Sequence, residues 1–141
     1  MSEVIVDTNV VVIANRQNVA VRESCADACV VFLSIAQSQH IILVDLGDEI
    51  RAEYARALRT GRPYQLGAQF LIHVLQHQHN TTRVKRVQLA KTAGGDFADF
   101  PEAPELAGFD RSDRKFAALS RKTGVPVTNA IDSDWADYLV A

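Results

Sequence analysis

Val4-Ile5-Val6-Asp7-Thr8-Asn9 is the stretch on which the reading of the fold turns. Three β-branched residues in a row form the kind of apolar run that is buried in a parallel sheet, where both faces are covered and no polar alternation is needed. An Asp directly after such a run stands at the strand's carboxyl end, the edge where open α/β sheets hold their ligands. The same pattern returns in His40-Ile41-Ile42-Leu43-Val44-Asp45. Between the two runs, Val21, Cys25, Ala28, Cys29, Phe32, Ile35 and Ala36 fit one face of an amphipathic helix over about 20–38, after a polar break at Asn15-Arg16-Gln17-Asn18. Asp48 is placed to cap a helix that runs to about Arg59, with Ile50, Tyr54, Ala57 and Leu58 facing inward. Gly61-Arg62-Pro63 breaks it, and a further helix is predicted over 64–78. A short strand follows within 81–89, then a long loop over 93–109 with Gly94-Gly95, Pro101 and Pro104. Residues 113–122 read as a helix stopped by Gly124, and Val125-Pro126-Val127-Thr128 as a short final strand. This alternation predicts a single α/β domain over 1–141, a three-layer α/β/α sandwich with a mostly parallel central sheet.

Size and composition agree with one domain. The 141 residues suffice for a real core, and 48% hydrophobic residues separate the chain from disordered ones. A net charge of −2 argues against a broadly basic nucleic-acid-binding surface but allows a local basic groove. No segment approaches the roughly 18–20 apolar residues that span a bilayer. Met1-Ser2-Glu3 lacks the basic start and apolar core of a signal peptide, so the expected location is cytoplasmic. Cys25 and Cys29, four apart, read as small buried apolar side chains on one helix face.

The chemistry lies in the acids. Asp7 follows the first strand, Glu53 lies early in the helix after the second, Asp113 opens a late helix, and Asp132 follows the last strand. A parallel sheet brings all four toward one edge. Carboxylates a few Å apart repel by several kcal/mol at intermediate dielectric, so such a cluster calls for a cation. Hard divalent ions with oxygen ligands are the natural occupants, and they suit phosphoryl chemistry.

With these residues in place, the chain resembles the PIN-domain nucleases. The matching segments are Val4-Ile5-Val6-Asp7-Thr8-Asn9-Val10, Ile50-Arg51-Ala52-Glu53-Tyr54, Asp113-Arg114-Lys115-Phe116-Ala117-Ala118 and Val127-Thr128-Asn129-Ala130-Ile131-Asp132-Ser133-Asp134-Trp135. The resemblance implies a metal-dependent endoribonuclease that uses Mg²⁺ or Mn²⁺, with Asp7, Glu53, Asp113 and Asp132 as the ligating acids. Asn9 would help orient the site, and Thr128 would be the hydroxyl near phosphate or metal. The family often has Thr-X-Asp at the fourth site. Here three residues separate Thr128 from Asp132, and Asp134 stands as the alternative ligand. Many small bacterial relatives are toxins of toxin–antitoxin pairs, which implies RNA as substrate, an antitoxin protein as partner, and a homodimer.

Each candidate has a plainer reading. Asp7 and Asn9 also suit turns, Glu49 a solvated first turn, and Asp110 the structuring of a loop. Asp45 ends a strand on the right edge, but no family motif claims it. His73, His77 and His79 read as packing or solvated side chains, and Asp99, Glu102 and Glu105 as a solvent-facing loop. Arg51, Arg114, Lys115, Arg121 and Lys122 read as surface charge, with steering of a phosphate backbone as the functional alternative. A catalytically silent PIN-like module that binds RNA or a protein is the rival from another class. Receiver-like and phosphatase-like folds also place an Asp after the first strand. Asp7-Thr8-Asn9 lacks the phosphatase's second acid, and no Lys follows a late strand as the receiver requires.

Overall fold

The computed structural model describes residues 2–17, 21–91, 97 and 113–130. Within them the elements run β1 (Glu3–Val6), α1 (Thr8–Ala14), α2 (Glu23–Gln39), β2 (Ile41–Asp45), α3 (Glu49–Ala57), α4 (Leu66–Gln76), β3 (Val84–Val87), α5 (Arg114–Thr123) and β4 (Val127–Thr128). The strands form one sheet in the order β3-β2-β1-β4. Every pairing is parallel, with Val4 opposite Ile42, Val6 opposite Thr128 and Val44 opposite Arg86.

Successive strand residues point to opposite faces of a sheet. Ile5 and Val6 are both fully buried, as are Ile42 and Leu43, with Val44 close behind. Both faces of the sheet are therefore covered, which makes the fold the expected α/β sandwich. Helices α1, α2 and α4 pack on one another, and α5 lies against β1, β2 and β4. Helix α3 touches α1, α4, α5 and β2. Its Tyr54 stands edge-on to Phe70 of α4, with ring centroids 5.8 Å apart, and tilted against Phe116 of α5 at 6.4 Å.

Three local outcomes differ from the sequence reading. No element is expected between Asp7 and the break at Asn15, yet α1 fills that space. Its core, Val10-Val11-Val12-Ile13, is β-branched and helix-weak. Burial decides: Val10, Val11, Ile13 and Ala14 are shut in beside α2 and α4. Gly67 makes that contact close, since a β-carbon there would lie 2.3 Å from the Val11 carbonyl oxygen. Second, Asn15 belongs to the core and is not only a polar break. It is 2% exposed, and its Oδ1 accepts the Ala68 N–H at 2.8 Å in the first turns of α4.

Third, Asp48 does not cap α3. Asp45 does, accepting the N–H groups of Glu49 and Ile50 at 2.9 Å each. Asp48 sits in the left-handed region at φ 64° and pairs instead with Arg51 and Arg86, each at 3.2 Å. Gly124 ends α5 as expected, at φ +75°, with its N–H on the Ser120 carbonyl at 2.8 Å. Ala57 is only half-buried, whereas Ile50, Tyr54 and Leu58 are in the core. The expected loop over 93–109 lies outside the described residues apart from Phe97, which is buried.

Candidate active site

The sheet order creates the position of the site. From β1 the chain moves outward to β2 and β3 on one side and returns to place β4 on the other. The crevice at the carboxyl ends of β1 and β4 is the switch point where doubly wound sheets bind ligands. Asp7 lies there, 1% exposed, at the N-cap position of α1. Its N–H donates to the Thr128 carbonyl at 2.9 Å, so Thr128 borders the same crevice. Asn9 is half-buried in the first turn of α1.

Glu53 reaches this edge from α3. Thr8 Oγ1 donates to Glu53 Oε2, which links the residue after Asp7 directly to the second acid. Lys115 Nζ donates to Glu53 Oε1 at 2.5 Å, from α5. The Lys115 and Glu53 side chains are 8% and 15% exposed, so this is an ion pair largely shielded from water. Asp113 stands at the N-cap position of α5, two residues before Lys115, and is 8% exposed. Its carboxylate makes no capping bond to the helix it begins. Beneath these groups the Tyr54 hydroxyl donates to the Val6 carbonyl. Burial holds the Tyr54 phenol well above its ordinary range, and the carboxylates of Asp7, Glu53 and Asp45 add to that shift in that order. Asp7 and Glu53 thus act on the same buried hydroxyl.

Asp7, Thr8, Glu53, Lys115 and Thr128 are tied together by these bonds. Asp113 begins the helix that carries Lys115, and among the described residues it does not join Asp7 and Glu53 in a three-acid metal group. Asp132, Asp134 and Asp110 lie outside the described residues, as do Asp99, Glu102 and Glu105. Asp45, on the same edge, is committed to capping α3.

Lys115 is the principal correction. It reads as surface charge from the sequence, and the structure buries it. A signal was present: in a helix, residue 115 shares a stripe with 118 and 119, and Ala118 and Leu119 are fully buried. Thr8 is the other residue that the sequence reading does not single out. Arg114 is half-buried with its Nε shielded from solvent, whereas Arg51, Arg121 and Lys122 lie nearer the surface. Arg51 pairs with Asp48 and Gln78, Lys122 donates to the Gln88 carbonyl, and Arg121 is exposed. His73 and His77 stack with ring centroids 4.5 Å apart, as packing side chains do. Cys29 is buried, which pushes its thiol up to about 11, while Cys25 is half-buried. Neither cysteine is disulfide-bonded, and a thiol held so far above neutral pH is a poor nucleophile.

The donor set is compatible with a hard divalent cation. Among the described residues no three acidic, histidine or cysteine side chains converge to hold a metal ion. Mg²⁺, however, is ordinarily held by one or two carboxylates plus waters, and Asp7 and Glu53 are two shielded carboxylates at one sheet edge. Glu53 is already paired with one positive charge, the Lys115 ammonium. No family model matches the chain, and no curated protein or solved structure matches it. No helix among the described residues is long and apolar enough to cross a membrane.

Proposed function

We propose that this chain is a metal-dependent endoribonuclease of the PIN type, with Asp7, Glu53 and Asp113 as its acids and Asp132 or Asp134 completing the set. The observation that carries the reading is the burial of Asp7 at the carboxyl end of the central strand, with Glu53 joined to its neighbour Thr8. Buried carboxylates with a shared edge are costly unless a cation uses them. Bound Mg²⁺ or Mn²⁺ would supply charge stabilisation at the phosphate and lower the pKa of water. The chain's own part is positional. The Asp7 backbone is pinned to Thr128 of the adjacent strand β4, and Thr8 and Lys115 hold one rotamer of Glu53. The toxin assignment, the antitoxin partner and the homodimer are narrower forms of the same proposal.

Asp7→Asn is the decisive variant. It removes the charge and keeps the shape. Cleavage of a generic RNA in Mn²⁺ is expected to fall by about 10²-fold or more, with the circular dichroism spectrum unchanged. Undiminished metal-dependent cleavage by that variant sinks the proposal.

A second reading has its own observation. The Lys115–Glu53 pair already neutralises one acid, as befits a silent module that binds RNA or a protein without cutting. A wild-type chain that binds RNA but shows no cleavage in Mg²⁺ or Mn²⁺ would favour it.

A further inference from the structure

The ion pair between α5 and α3 raises a question that the nuclease reading does not answer. Glu53 presents two carboxylate oxygens, and both are in use: Oε2 by the Thr8 hydroxyl and Oε1 by the Lys115 ammonium at 2.5 Å. Lys115 is not a surface lysine that happens to touch an acid. Its residue is 6% exposed, and it lies beside Phe116, with its ammonium 5.4 Å from the centre of that ring. A lysine in such a place is held by its partner charge, because an ammonium out of water is costly unless paired. A divalent cation and this ammonium would draw on the same carboxylate.

We propose that Lys115 is a positioning residue that acts as an internal counter-cation, competing with the divalent ion for the Glu53 carboxylate and so setting the metal affinity of the site. The proposal rests on the nuclease reading above. In the metal-free chain the pair keeps Glu53 ordered and its charge balanced. Metal binding requires the ammonium to withdraw from Oε1. Apparent affinity is therefore reduced by the fraction of time the pair is formed, in the same way as for any ligand whose competent state is a minority. The device gives a site that stays assembled without metal and loads only when the cation is plentiful. Arginine at 115 would preserve the competition, because it keeps the charge; methionine would abolish it at similar length.

The test is Mn²⁺ binding to the full chain followed by electron paramagnetic resonance, which counts free and bound ion without reference to activity. Wild type, Lys115→Met, Lys115→Arg and each of these with Asp7→Asn are compared. Lys115→Met is expected to bind Mn²⁺ about tenfold more tightly than wild type, Lys115→Arg to stay near wild type, and Asp7→Asn to abolish the binding in all three. Should Lys115→Met fail to fold, Lys115→Gln, which keeps a neutral donor near Glu53, is expected to show the same tightening. Equal or weaker Asp7-dependent binding without the lysine overturns the competition and leaves the nuclease reading standing. An absence of Asp7-dependent binding in every variant overturns both.

Discussion

Tyr54 shows how much a single side chain is asked to do at this edge. It is fully buried, it touches aromatic rings from two other helices, and its hydroxyl donates to the carbonyl of Val6, the residue before Asp7. The phenol thereby anchors the end of β1 in the position that presents Asp7. Tyr54→Phe keeps the ring packing and removes only the hydroxyl. A loss of about 1 kcal/mol of stability is expected, the ordinary worth of one hydrogen bond, measured as a lower urea midpoint at unchanged slope. An unchanged midpoint would mean that the bond contributes nothing net. Glu53 and Lys115 show the opposite economy at the same scale. The two share one largely shielded ion pair, so removing either takes an opposite charge away from the other.

At the scale of elements, helix α3 begins where β2 ends because Asp45 reaches forward over the turn. Its two oxygens take the N–H groups of Glu49 and Ile50, two of the donors that the start of a helix leaves without helical partners. Asp45→Ala is expected to cost about 1–2 kcal/mol, the range for a lost N-terminal cap. Asp48→Asn, which keeps a side chain that tolerates the left-handed backbone, removes only a partly exposed pair with Arg86 and Arg51, so its cost is expected to stay below about 1 kcal/mol. Thermal denaturation of the two variants side by side decides between them, and an equal loss in both would refute the assignment of the cap. The functional consequence is direct, because α3 carries Glu53. A frayed α3 start loosens the second acid, so Asp45→Ala should also weaken any activity that depends on Glu53.

For the whole molecule, a buried phenol and a half-buried imidazole each contribute to the pH dependence of stability. Burial holds the Tyr54 phenol above its ordinary value of 10.0. The unfolded chain releases that proton first, so the contribution of Tyr54 is intact below pH 10 and declines as pH rises beyond it. His73 is shifted the other way: burial lowers it from 6.5, and His77 and Arg83 lower it further. The unfolded chain takes up that proton first as pH falls, so its contribution is present above about pH 6.5 and declines below it. Stability measured by urea unfolding is expected to be greatest between these limits. His73→Gln should flatten the first part of the acid limb and Tyr54→Phe the alkaline one. An acid limb unchanged by His73→Gln would show that other groups govern it.

The local sequence carried the architecture. Apolar runs closed by Asp7 and Asp45, helical stripes between them and Gly124 as a stop are properties of adjacent residues, and strand–helix alternation leaves a parallel sheet as the natural way to bury them. The placement of Asp7 and Glu53 at one edge followed from that topology. Packing alone decided the rest. Only burial against α2 and α4 could turn the β-branched segment after Asp7 into a helix. Only the turn geometry after β2 could hand the cap of α3 to Asp45 and leave Asp48 to Arg86. Lys115 became a buried partner of Glu53 because α5 crosses the sheet next to α3. That contact joins residues 62 positions apart, and the pattern of neighbouring residues in a chain holds no record of such a distance.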